Sequence, residues 1–431
     1  MCTDSSGCGA TPRWCSVSPE FRKLWIGQGV SVVGSRVTQL ALPLTAALTL
    51  SATPVQMGYL TAANSLPILF FALFAGAWAD RLPHRPVLIV TDLARAAILV
   101  TIPIAAIAGV LTITHVLVAA FLAGAMSVLF RAAYTPFIPA LVERSELVRA
   151  NSRLALNESI ARVAGPSLGG LLVQLVTAPI AIAADAASFV VSAVAVWAIR
   201  VKETPPARAE RKPISREIGE GMRFVRHNPF IRTVVTIALI FNFAITLGEV
   251  NLILYATRVL GLDGGLVGAV FATGGVASVI GATQVSRVTA RFGIGPSMTA
   301  GVFAVALSWG FVLAANGSPL VAALYLAVQA AIASLGAAIF NVTSAAVYQA
   351  AVPLSLQGRV GGTGQVLGLG LASIAALIGG WLGDHLGLWN TLGLSLAGNV
   401  LGLVYVISSP LRGIRTADDL TPTESTAAAM S

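Results

Sequence analysis

Eight ionisable side chains stand inside otherwise apolar stretches of this sequence, and they are the residues with chemistry to do. Arg36, Asp92, Arg95, Arg131, Glu158, Arg162 and Asp185 fall in the first half of the chain and Glu249 in the second. A charge at the centre of a bilayer costs at least about 2.5 kcal/mol, so each must face a partner, a protein surface or water. Asp92 and Arg95 are three residues apart and Glu158 and Arg162 four apart. Those spacings put each pair on one helix face, where the two members can neutralise each other. Asp185 and Glu249 have no basic residue within a turn of their own helix, although Arg36 could meet either from another helix. An acid so placed can take a proton from one side of a membrane and release it to the other. Asp185 and Glu249 are therefore the proton-coupling candidates, and the other six form an intramembrane charge network.

Other chemistries find little to stand on. His84, His115, His227 and His385 are scattered at loops or helix ends, without zinc-protease or serine-hydrolase spacing. Cys2, Cys8 and Cys15 all lie in the polar N-terminal tail, with no CxxC pair and no histidine beside them. There is no GxxxxGKS phosphate cradle, so the chain carries no nucleotide motor of its own. An enzyme, a metal and a bound cofactor are all expected to be absent.

The elements that must hold these residues are membrane helices. With 56% hydrophobic and only 10% charged residues, the chain lies far from the roughly 25% charged of soluble domains. The net charge of +9 gathers in loops between apolar runs rather than on one folded face, which argues for membrane topology and against nucleic acid. Forty-two glycines suit close helix packing in lipid. Apolar runs near 24–50, 55–79, 87–110 and 114–142, one after Arg153 that holds Gly165 to Gly170, and one near 179–199 are followed by six more near 233–257, 264–285, 294–315, 319–350, 360–383 and 388–408. Each is about long enough to cross a bilayer at roughly 20 residues. The tail before them lacks the layout of a cleaved signal peptide.

One polar stretch, 200–232, divides the chain. Its nine arginines and lysines outnumber its four glutamates, which by the positive-inside rule sets it in the cytoplasm. The expected layout is a disordered cytoplasmic tail at 1–20, a six-helix bundle at 21–199, a basic cytoplasmic linker at 200–232, a second bundle at 233–411 and a cytoplasmic tail at 412–431. Among the outward loops on that topology, Arg258 is the sole arginine or lysine. A faint internal repeat aligns the stretch 80–85 with 286–291: Arg81 and Arg85 recur as Arg287 and Arg291, and Asp80 becomes Ser286.

The loop Gly76, Asp80, Arg81, Arg85 resembles the signature between the second and third helices of the major facilitator superfamily, with Pro83 where a glycine is usual. Gly165, Pro166, Gly169 and Gly170 resemble the fifth-helix signature of proton-coupled exporters in that superfamily. Asp185 to Phe189, Asp-Ala-Ala-Ser-Phe, is similar to a phrase in the branch that includes enterobactin exporters, lysophospholipid flippases and some macrolide efflux proteins. The resemblance covers about residues 21–412. It implies an all-α membrane protein, twelve transmembrane helices in two pseudo-symmetric six-helix bundles, with the first loop acting as a gate whose aspartate docks on a helix N-terminus of the other half. It also implies a plasma-membrane antiporter, monomeric, with both termini cytoplasmic, that exchanges protons for a small amphipathic or apolar compound. A lipid flippase on the same fold is the alternative, and a membrane-embedded enzyme the reading from a different class.

Overall fold

In a bilayer every backbone N–H and C=O must be satisfied within the protein, and an apolar run of about 20 residues does this by forming one helix across the hydrocarbon. The computed structural model, which describes residues 18–79, 83–201, 214–416 and 419, has twelve such helices of 20 to 33 residues. The first six are α1 (Pro19–Leu44), α2 (Pro54–Ala79), α3 (His84–Ile107), α4 (Ile113–Phe137), α5 (Leu147–Leu175) and α6 (Ala178–Trp197). After a shorter helix α7 (Ile214–His227) come α8 (Pro229–Leu254), α9 (Gly264–Phe292), α10 (Ile294–Ala314), α11 (Pro319–Ala351), α12 (Leu354–Leu386) and α13 (Leu388–Ile407). Among the described residues nine of these, α3, α4, α6 and α8 to α13, are long and apolar enough to span a membrane by composition alone. The long helices α1 and α5 are more polar in mid-course: α1 carries Gln28, Ser31, Ser35, Arg36 and Gln39, and α5 carries Asn157, Glu158 and Arg162.

Helix starts follow local chemistry. Ser18 caps α1 by accepting from the Phe21 amide at 3.1 Å, Asn228 caps α8 through Phe230 and Ile231 at 3.0 Å each, and Asp263 caps α9 through Leu266 at 2.8 Å. Pro19, Pro229 and Pro319 occupy first-turn positions that need no donor.

The helices pack as two groups. In the first, α1 lies against α5 and α6, α3 against α4 and α6, and α2 against α4. In the second, α8 lies against α12 and α13, α10 against α11 and α13, and α9 against α11. Two seams join the groups, α2 with α12 and α5 with α9. The basic stretch 200–232 is not a plain loop, because α7 forms within it. That helix docks on the start of α12, where Glu220 meets Arg359 at 2.6 Å and Val225 is buried. The tail with its three cysteines, residues 202–213, and Asp80 with Arg81 lie outside the described residues.

Candidate functional site

The seams are uneven along their length. On α2 and α12, a Cβ at Gly58 would lie 2.6 Å from the Ala376 carbonyl oxygen, and one at Gly380 would lie 2.6 Å from that of Pro54. On α5 and α9, a Cβ at Gly170 would lie 2.6 Å from Gly268 Cα. These contacts sit where α2 and α9 begin and where α5 and α12 end. At the other end, which carries α7 and the α2–α3 and α4–α5 connections, Gly358, Gly362, Gly364 and Gly368 of α12 have no neighbouring atom within 4 Å of a built Cβ. The two bundles are pressed together at one end, and the looser packing of α12 toward the basic end, with the part-exposed charges of Arg36 and Glu158 at membrane depth, argues for a cleft between them there.

One wall of this cleft is built from α1, α4 and α5. Arg36 Nη2 donates to Glu158 Oε2 at 3.1 Å, and Arg36 Nη1 donates to Gln39 Oε1 at 2.9 Å. The pair is 32% and 46% exposed at the level of α1 that a bilayer would cover, so it faces the cleft rather than lipid. Glu158 thus pairs with Arg36 from another helix and not with Arg162 on its own. Arg131 and Arg162 are exposed, and Tyr134 is close enough to Glu158 to interact electrostatically with it. Gly165 and Gly169 make the wall possible, since their bare faces rest on Arg36 and Val37 of α1. Pro166, between them, presents its carbonyl oxygen 2.9 Å from where a Cβ on Gly268 would stand.

The facing wall is α8. Asn242 and Glu249 are exposed and Thr246 half-buried, while Phe241, Ala244, Leu247, Gly248, Val250 and Asn251 are buried. Spacings of four and three put Asn242, Thr246 and Glu249 in one stripe. Leu247 and Asn251 face α12 and Gly248 faces Trp309 of α10, so the polar stripe is on the opposite side of α8, where polar groups at membrane depth argue that it faces the cleft rather than lipid, with Glu249 toward the sealed end. Among the described residues Glu249 has no ion-pair partner within 4.0 Å. The spacing of the three is legible in the sequence, but Asn242 and Thr246 carry no charge and only Glu249 gives a signal there.

Asp185 stands elsewhere. It is 2% exposed within the first bundle, where Ser188 Oγ donates to it at 3.1 Å and Ser35 Oγ at 3.4 Å. Arg36 is engaged by Glu158 instead, and the basic residue packed on α6 near Asp185 is Arg95 of α3, whose guanidinium rests on Phe189. Arg95 also donates to Asp92, and its guanidinium lies over the rings of Phe130 and Phe189. Nothing in the spacing of the sequence brings α3 to α6. Arg85, in the first turn of α3, donates to the Val196 carbonyl at 3.2 Å and to that of Trp197, while Gly76 lies in the last turn of α2. Apart from the cleft, a hollow of about 410 Å³ beside Tyr255, Val259, Leu388 and Trp389 holds none of these charged groups.

Two bundles of spanning helices around a polar cleft define a multi-pass membrane transporter of the major facilitator fold. The chain belongs to the transmembrane secretion effector family of that superfamily, whose model matches residues 14–429. It is 27% identical over 360 residues to the multidrug efflux pump Tap of Mycolicibacterium fortuitum, covering 81% of this chain and 86% of that one. Among solved structures it is similar to a variant of the nucleoside transporter NupG, with a TM-score of 0.73 at 12% identity over 90% of this chain and 98% of that one. It is also similar to a bacterial homologue of the iron transporter ferroportin, again over 90% and 98% of the two chains. There the TM-score is 0.71 at 16% identity for the inward-facing state and 0.56 at 17% for the outward-facing state. At such identities these likenesses show the fold alone. The family and the fold are those of a transporter and not of an enzyme.

Proposed function

We propose that this chain is a proton-coupled exporter of small amphipathic or apolar compounds, working by alternating access. The observation that carries the reading is the cleft itself: open at the basic end, sealed at the other, and lined at membrane depth by Arg36 with Glu158 on one wall and by the Asn242, Thr246 and Glu249 stripe on the other. A cleft of that form admits a solute from one side only, and rocking the bundles about the two seams would present the same groups to the opposite side.

Positive-inside counting assigns the basic end to the cytoplasm, with both termini and α7 on that side and the protein in the plasma membrane. The state described is then the inward-open one, in keeping with the better superposition on the inward-facing ferroportin homologue. Outward transport is supported by the family description and by Tap, and by the Gly165, Pro166, Gly169, Gly170 signature in α5. Asp185 and Glu249 remain the residues offered for proton coupling, and the Asp80 and Arg81 loop the gate that closes the basic end in the opposite state.

The test is transport in proteoliposomes with an imposed pH gradient. The panel contains a macrolide, a lipophilic organic cation, a catecholate siderophore and a fluorescent lysophospholipid. The reading expects at least one drug-like or siderophore compound to move against its gradient when protons flow the other way, with collapse of transport on adding a protonophore. Movement of the labelled lipid alone would make the chain a flippase. Movement insensitive to the pH gradient would remove the coupling.

A further inference from the structure

Behind the cleft wall, between α1, α3, α4 and α6, lie three ionisable side chains with almost no exposure: Asp92 at 0%, Asp185 at 2% and Arg95 at 7%. The Arg95 guanidinium is stacked on two rings, with Cζ 4.4 Å from the Phe130 centroid and 4.1 Å from that of Phe189. Rings on its faces shut out water and leave the edges of the guanidinium for acids. One edge donates to Asp92 Oδ1, and Asp185 is buried on α6 one turn before Phe189, the ring the cation rests on. Further neighbours bring hydroxyls and an amide but no charge: Ser35 of α1 and Ser188 of α6 donate to Asp185, and Gln28 donates to Ser192 at 2.8 Å. The remaining cation that reaches the group is Arg131 of α4, which acts on Arg95 but is itself exposed and hydrated.

Charge counting in this dry pocket decides its protonation. One guanidinium neutralises one carboxylate. With both acids ionised the core would hold an uncompensated negative charge, and with both protonated an uncompensated positive one; each is costly at low dielectric. The cluster is neutral with a single proton on the two acids, which then titrate as a pair rather than as separate residues. Asp92 Oδ2 is buried without a hydrogen-bond partner, a cost that falls most heavily on the ionised carboxylate and so favours the proton on Asp92 when Asp185 is the ionised member.

We propose that Asp92 and Asp185 share one exchangeable proton beside Arg95, forming a proton-binding site set apart from the cleft that takes the compound. The proposal rests on the exporter reading for its purpose but not for its test. Two adjacent-residue pairs connect the site to the cleft. Ser35 touches Asp185 while its neighbour Arg36 holds Glu158, and Phe130 stacks on Arg95 while its neighbour Arg131 is exposed. α1 is the one-helix partition between proton and compound, and Gly34 keeps it thin: a Cβ there would stand 2.8 Å from Asp185 Oδ1.

Infrared difference spectra of the purified full-length protein, recorded in H2O and D2O at neutral pH, test this without any transported compound. A deuteration-sensitive protonated-carboxyl band is expected in the parent and in Glu249→Gln, and its loss is expected in Asp92→Asn and in Asp185→Asn. Each single variant leaves one acid for one guanidinium and should melt close to the parent, whereas the double variant strips Arg95 of both partners and should melt well below either. Persistence of the band in both single variants, its absence from the parent, or failure of the single variants to accumulate when the double variant does would overturn the shared proton. Absence of any efflux across the compound panel would instead sink the exporter reading and leave the band as it is.

Discussion

Arg36 and Glu158 hold each other in the cleft for a reason that stability does not supply. A half-exposed ion pair contributes about 0 to 1 kcal/mol, and 1 kcal/mol moves the melting temperature of even a domain of about 150–250 residues by only about 2–4 °C. Arg36→Ala is therefore expected to melt within a few degrees of the parent yet to lose about tenfold or more in efflux, because the cleft wall loses its cation and leaves Glu158 facing the compound alone. The reversed pair, Arg36→Glu with Glu158→Arg, should recover part of the activity, and no recovery would mean that the arginine acts on the compound directly. Glu249 poses the complementary question, since among the described residues it has no ion-pair partner within 4.0 Å and stands near the sealed tip. Glu249→Gln should still bind a fluorescent cation in detergent, read by anisotropy, but with affinity that changes less between pH 6 and pH 8 than the parent's. Unaltered pH dependence would clear Glu249 of any proton role. That these residues matter could be read from the sequence, because ionisable groups in hydrocarbon demand an explanation. Their partners could not. Asp92 with Arg95 is a matter of helical spacing, but Arg36 with Glu158 and Arg95 with Asp185 depend on which helices touch, and α1, α3, α5 and α6 are brought together only by the folded bundle.

At the scale of elements, the α5–α9 seam is a place where backbone meets backbone. A Cβ on Gly170 would stand 2.6 Å from Gly268 Cα, and one on Gly264 would stand 2.5 Å from Val173 Cγ1. The valine side chain can rotate away, but the Gly268 backbone cannot. Gly170→Val should accordingly force α5 and α9 apart at the sealed end. Spin labels placed on the ends of these two helices should then report a longer mean distance, and cysteines set in the stripe beside Glu249 should become reactive to reagents added from that end. If the distances and reactivities match the parent, the seam is not what keeps the end shut. The helices themselves were largely legible, since apolar runs separated by short polar turns leave a membrane protein few choices. α7 was hidden because its sequence, Ile214–His227, reads first as a charge run. Its apolar members Phe224 and Val225 pack with the second bundle, but they are too few to stand out from the surrounding arginines.

For the whole molecule, the question is what holds the sealed end closed while the basic end stands open. The seams supply shape, but shape alone would suit an occluded state equally well. Two polar links from the second bundle converge on the short α1–α2 turn of the first. Arg258, in the π-helical turn Tyr255–Val259 that follows α8, donates to the Ala52 carbonyl at 2.7 Å, and Asp384 of α12 accepts from the Val55 amide at 3.3 Å. A cation on a carbonyl and a carboxylate on the first turn of a helix both have the favourable sign. Arg258 is the basic residue that stands out among loops otherwise free of lysine and arginine, and this link gives it a task. The Arg258 and Asp384 side chains are both exposed, so about 1 kcal/mol apiece is a fair scale, or about 2 kcal/mol together. That is roughly a thirtyfold bias between two states at 1.4 kcal/mol per tenfold, enough to favour the closed end without locking it. Arg258→Ala with Asp384→Asn should therefore leave the fold and the melting temperature nearly unchanged while shifting the spin-label distance distribution across the α2–α12 seam toward a longer, sealed-end-open population. Each single variant should give about half of that shift in free energy. A distribution identical to the parent in the double variant would mean that close packing at Gly58 with Gly380 and at Gly170 with Gly268 closes the end unaided. A shift in the opposite sense would mean that the two links are strained in the closed state and help to release it.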